Sequence, residues 1–124
     1  METTVSTGFH KPITPGIHGL IDYAFALSLV GIPLLTDANK KTRNIYFMLA
    51  GQVFLYSAFT KQPYALKRVV PMPTHQKIDI ANLCGLALLS VYKGIAKQKA
   101  TLGAHLGLTA LGVASVLLTD WKRA

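Results

Sequence analysis

The chain has 124 residues, 51% hydrophobic and 15% charged, with 13 Lys+Arg against 5 Asp+Glu and a formal net charge of +8. A soluble domain carries about 25% charged residues, so this composition excludes disorder and argues against a water-facing cytosolic enzyme. The single Cys84 excludes a disulfide scaffold, and the length leaves room for one domain.

Residues 1–14 read as a short N-terminal tail. METTVSTGFHKPITPG lacks the apolar centre of a cleaved signal peptide, so the first helix is expected to serve as its own insertion signal. Lys and Arg then fall in clusters: Lys40, Lys41 and Arg43; Lys61, Lys67, Arg68 and Lys77; Lys93, Lys97 and Lys99; Lys122 and Arg123. Between them, Tyr23 to Thr36, Asn44 to Thr60, Ile80 to Tyr92 and Ala100 to Thr119 contain no Asp, Glu, Lys or Arg. Bases confined to connections and ends do not form the patch that nucleic-acid binding requires.

A bilayer core needs about 20 residues of helix. This predicts four spans, near Ile17 to Leu35, Ile45 to Thr60, Thr74 to Tyr92 and Thr101 to Leu118. Thr14-Pro15 and Pro73-Thr74 supply helix-start chemistry. The predicted fold is all-α, a four-transmembrane-helix bundle made of two tandem helical hairpin repeats. It occupies a single domain, 15–124, with halves at about 15–62 and 72–121. The basic residues divide seven to six between the two sides, which leaves the orientation open.

The repeat expectation rests on an echo. IHGLIDYA from Ile17 and THQKIDIA from Thr74 align at an offset of 57, pairing His18 with His75 and Asp22 with Asp79. A His and an Asp four residues apart share one helical face. Parallel first and third helices would therefore bring His18, Asp22, His75 and Asp79 into one layer. Asn82 extends the polar face of the third helix, and Tyr56, Ser57, Thr60, Ser115 and Thr119 reach the same depth from the antiparallel helices.

Ionisable groups at membrane depth are costly unless paired or wet, which makes this layer the candidate site. Four uses stay open. The residues could ligate a divalent metal such as zinc or iron. The two histidines could hold a b-type haem axially. Alternating His and Asp could carry protons or ions through an oligomer. Or each pair simply satisfies itself near a helix start, in a packing role. Gly103 and Gly107 form a GxxxG pattern expected to serve packing in the bundle or dimerisation. His105 enters from the opposite side, Cys84 reads as an apolar filler, and Tyr46, Tyr92 and Trp121 fall where interfacial aromatics belong. No nucleotide, nucleophile or zinc-protease motif appears, so the chain makes no strong case for an enzyme.

HGLIDY at His18, the stretch Tyr64 to Arg68 leading into VPMPTHQKID, and the echoed hairpins resemble small bacterial four-helix membrane proteins allied to the SPW-repeat group. The third helix ends LLSVYKG where that group carries Ser-Pro-Trp. The resemblance implies a bacterial inner-membrane location and no particular reaction. Within that frame Arg68 is expected to reach Asp22 or Asp79 as a counter-ion. The expected partners are the lipid bilayer and a homo-oligomer or larger membrane complex. The leading expectation is a non-enzymatic binding or accessory protein; the alternative is an ion- or proton-conducting oligomer.

Overall fold

The computed structural model describes residues 11–123, and the first ten residues of the expected tail lie outside it. The chain is helical: α1 (Pro15–Leu35), α2 (Lys40–Ala58), α3 (Met72–Leu89), α4 (Lys93–Ala96) and α5 (Lys99–Leu118), followed by a 3₁₀ turn at Trp121–Arg123. Among the described residues there is no strand, only two isolated bridges.

Local chemistry sets the helix ends. Thr14 caps α1 by accepting from the Ile17 N–H at 3.2 Å, and Pro15 occupies the first turn, where a missing N–H costs nothing. Pro33 is tolerated near the end of α1, and the chain reverses through Asp37 at a φ of 53°. Asn39 then caps α2, accepting from the Thr42 N–H at 2.9 Å. These tight connections make α1 and α2 antiparallel neighbours, and α5 packs against both α1 and α3. The hydrophobic core comprises Ala26, Leu29, Tyr46, Ala50, Val53, Ile95 and Leu108, and the small Ala26 and Ala50 lie on the contacting helices α1 and α2.

The fold departs from the four-span expectation. Among the described residues, only α1 and α5 are long and apolar enough to cross a membrane. α2 starts at Lys40, not Ile45, and its first turn carries Lys40, Lys41 and Arg43. α3 carries His75, Gln76, Lys77 and Asp79 in its first half, so the helix as a whole is too polar. A charge-free stretch of sequence is therefore a poor measure of an apolar helix. The two halves are also not equal hairpins, since α4 interrupts the second where the first has a short turn.

Two backbone clamps tie the helix ends together. The Lys61 N–H donates to the Val70 carbonyl at 2.7 Å and the Val70 N–H to the Phe59 carbonyl at 2.7 Å, joining the end of α2 to the start of α3. The Asp120 N–H donates to the Ile13 carbonyl at 2.8 Å and the Ile13 N–H to the Leu118 carbonyl at 3.2 Å, joining the end of α5 to the start of α1. Thr60 and Thr119 sit in these clamps, each buried.

Candidate functional site: a buried His/Asp cluster

The N-terminal halves of α1 and α3 supply His18, Asp22, His75 and Asp79, which meet in one buried cluster. One ligand-type atom from each lies within 4.8 Å of the others. The closest pairs run between helices: His18 Nε2 to Asp79 Oδ2 at 2.8 Å, and His75 Nε2 to Asp22 Oδ2 at 2.7 Å. Within each helix the i, i+4 pairs are looser, both at 3.3 Å. Each carboxylate thus faces both imidazoles, and the cross-helix partner is nearer than the one on its own helix.

The clamps decide which ring nitrogen carries a proton. A threonine hydroxyl has one hydrogen. Thr60 gives its hydrogen to the Tyr56 carbonyl at 2.6 Å, and Thr119 gives its own to the Ser115 carbonyl at 2.6 Å. Both hydroxyls must therefore accept from the histidines, so His75 Nδ1–H donates to Thr60 at 2.6 Å and His18 Nδ1–H donates to Thr119 at 2.7 Å. Nε2 of each ring is left facing the carboxylates. Two states fit that geometry: a second proton on Nε2, making ion pairs, or a bare lone pair directed at a cation. For His75, burial alone would push the pKa down, but the hydrogen bonds to Asp22 and Asp79 outweigh it and hold the ring protonated above its ordinary range. For Asp79, burial works upward, and the hydrogen bonds from His18 and His75 overcome it to lower the carboxyl.

Remaining polar groups fix the carboxylates. Tyr56 donates to Asp79 Oδ1 at 2.5 Å and is held in turn by Asn82 Nδ2 at 3.2 Å, while Gln52 Nε2 donates to Asn82 at 3.0 Å. Ser57 donates to Asp22 Oδ2 at 3.2 Å. Asn82, Tyr56 and Ser57 thus stand where the sequence placed them, around the cluster. Trp121 joins the surround as well: its ring packs edge-on against His18 at 4.7 Å and lies 6.2 Å from His75. Gln62 joins the surround without any signal in the sequence. It is buried and donates to the Ser57 carbonyl at 3.1 Å, over Gly19, where an added Cβ would collide with its Oε1. No periodicity marks Gln62, because it belongs to the connection between α2 and α3.

Other expected positions are corrected. Arg68 is exposed and donates to the Pro63 carbonyl at 3.4 Å, so it is no counter-ion to Asp22 or Asp79. Gly103 and Gly107 face open space with nothing within 4 Å of an added Cβ, and so do not pack the bundle. The close approach is at Gly112, where a Cβ would meet Leu83 at 2.7 Å and Phe25 at 3.1 Å. Cys84 is exposed and Tyr46 is fully buried, opposite to the filler and interfacial expectations. His105 lies apart from the cluster, bonded to the Tyr46 hydroxyl through Nδ1 and to the Leu86 carbonyl through Nε2 at 2.7 Å.

Zinc-type ligand bonds are about 2.0–2.1 Å, which puts the ligand atoms of a tetrahedral site about 3.3 Å apart. The cluster's four N–O separations of 2.7 to 3.3 Å lie close to that spacing, and all four ligand atoms fall within 4.8 Å of one another. A haem does not fit: the carboxylates occupy the space between the imidazoles, and the adjoining cavity, bounded by Phe25, Val53 and Leu83 among others, is about 30 Å³. Comparison of the chain with family models, with curated proteins and with solved structures finds no match in any of the three.

Proposed function

We propose that this chain is a small membrane-bound helical protein that holds one divalent transition-metal ion on His18, Asp22, His75 and Asp79, in a binding or accessory role and not as an enzyme. The observation that carries the reading is the cluster itself: two imidazole nitrogens and two carboxylates converge, buried, with each histidine's other nitrogen tied to a threonine. Metal-ligating histidines have such a second partner, because it fixes the tautomer and the ring orientation. Charge agrees, since a divalent ion between two carboxylates and two neutral imidazoles leaves the buried site neutral. Nitrogen and oxygen donors suit zinc or iron(II).

Membrane residence is supported by α1 and α5 and by an inverted distribution of polarity. Among the described residues the buried set contains as many polar as apolar side chains, while Leu27, Met48, Leu88, Leu111 and Leu117 are exposed. A lipid-facing surface accounts for that pattern. The resemblance of HGLIDY and VPMPTHQKID to the SPW-repeat group adds the bacterial inner membrane to the reading. Proton or ion conduction gains no support. Among the described residues the His105 side chain bonds to Tyr46 and Leu86 and to no member of the cluster.

The test is calorimetric titration of zinc into metal-stripped protein in mild detergent. One equivalent per chain is expected, with binding lost in His75→Ala and Asp22→Ala. Wild-type protein that takes up no zinc would leave the packing role and overturn the proposal.

A further inference from the structure

A second feature lies at the same end of the molecule, outside the cluster. A groove of about 610 Å³ opens between the first turn of α1 and the connection from α2 to α3, walled by Thr14, Ile17, Lys61, Gln62, Tyr64 and Arg68 among others. No acidic residue is in its walls, and among the described residues neither Lys61 nor Arg68 forms an ion pair. Among the described residues the Arg68 side chain is held only by its 3.4 Å bond to the Pro63 carbonyl. Two cations thus face one concavity with their charge uncompensated.

Apolar side chains are exposed beside it. Ile17, in the groove wall, is 46% exposed, and Leu66 (76%) and Val69 (55%) are exposed on the same connection as the two cations. Tyr64 is exposed as well, with its carbonyl accepting from the Tyr23 hydroxyl at 2.7 Å. A soluble anion needs no such collar, whereas a phospholipid brings acyl chains that would lie along it. Depth agrees too: a membrane-crossing α1 has its first turn at the level of the headgroups, where tyrosines and snorkelling bases belong. Basic pockets beside membrane helices recognise anionic headgroups by this combination of charge and depth.

We propose that this groove binds the phosphate of an anionic phospholipid headgroup, with Lys61 and Arg68 as the phosphate ligands and Ile17, Leu66 and Val69 against the acyl chains. The inference rests on the membrane-bound reading, and the two fail separately. Release of the chain from membranes by alkaline carbonate would overturn membrane residence, while lipid recognition is read in micelles.

The experiment is equilibrium binding of labelled phosphatidylglycerol, against phosphatidylcholine, to the full chain in mixed non-ionic micelles. Saturable binding of phosphatidylglycerol is expected, weakened roughly tenfold or more in Lys61→Gln/Arg68→Gln. It should be kept in the charge-preserving Lys61→Arg/Arg68→Lys and in Lys93→Gln/Lys97→Gln at the opposite end. Circular dichroism establishes that each variant is folded. Equal binding of phosphatidylcholine, or an unchanged affinity in folded Lys61→Gln/Arg68→Gln, overturns the proposal. Full displacement of the lipid by equimolar inorganic phosphate overturns it as well, making the groove a free-phosphate site.

Discussion

At one end of the bundle His105 bonds both ring nitrogens to uncharged partners, the Tyr46 hydroxyl and the Leu86 carbonyl. At the other, His18 and His75 each bond one nitrogen to a threonine and aim the second at two carboxylates. All three histidines are buried, so burial does not separate them. Their partners do. His105 joins α5 to α2 and to the end of α3 with nothing left over, a structural pin. The other pair converges on a point that a cation can share, which is the arrangement of a ligand site.

The comparison breaks most sharply at the carboxylates. Asp79→Ala removes the acceptor for both His18 and Tyr56 and leaves a buried charge without its partner. We expect zinc affinity to fall at least a hundredfold and the metal-free protein to lose about 3–5 kcal/mol in chemical unfolding followed by circular dichroism. Retained zinc affinity in this variant would move the ligand site elsewhere.

Thr60→Val and Thr119→Val test whether the second nitrogen matters. Each keeps the shape but removes the hydroxyl nearest to Nδ1, with the Ser115 hydroxyl at 3.2 Å still beside His18, so zinc binding should weaken about 10- to 100-fold in Thr60→Val and less in Thr119→Val, in calorimetry, while the protein stays folded. A loss of stability with unaltered zinc affinity would place the threonines in folding alone.

Acidification sharpens the contrast in another way. The carboxylates hold His75 protonated above its ordinary range, and a metal must displace that proton. Zinc affinity should therefore rise with pH, by up to about tenfold per unit for each proton released, as long as the pH is below the raised pKa of the ring, and level off above it. Affinity flat between pH 6 and pH 8 would mean that imidazole nitrogen is not a ligand.

The opposite end should respond only in stability. His105→Phe leaves the Tyr46 hydroxyl and the Leu86 carbonyl without their partner and should cost about 1–3 kcal/mol, with zinc affinity unchanged. The smallest effects belong to the glycines. Gly112→Ala, crowded by Leu83 and Phe25, should destabilise by about 1–2 kcal/mol, whereas Gly103→Ala and Gly107→Ala should be neutral or gain up to about 1 kcal/mol of helix propensity in thermal melts.

The membership of the cluster was legible because a four-residue spacing leaves His18 and Asp22, and His75 and Asp79, only one common face each. Their cross-pairing was not, since it depends on how far α1 and α3 are rotated towards each other. Thr60 and Thr119 could be placed at the right depth, but their role follows from backbone clamps that no side-chain pattern encodes. Gly103 and Gly107 misled because a GxxxG spacing states that two residues share a face without stating which way it points. The number of spans was overstated for a related reason. Charge-free runs ignore that α2 begins among Lys40, Lys41 and Arg43, and that the first half of α3 is polar.

The account turns on what stands around a bound ion. Zinc K-edge X-ray absorption of the one-to-one complex should show nitrogen and oxygen neighbours at about 2.0–2.1 Å, with outer-shell scattering from two imidazoles per zinc. A shell of water oxygens without imidazole scattering, or one containing sulfur from Cys84, would contradict it.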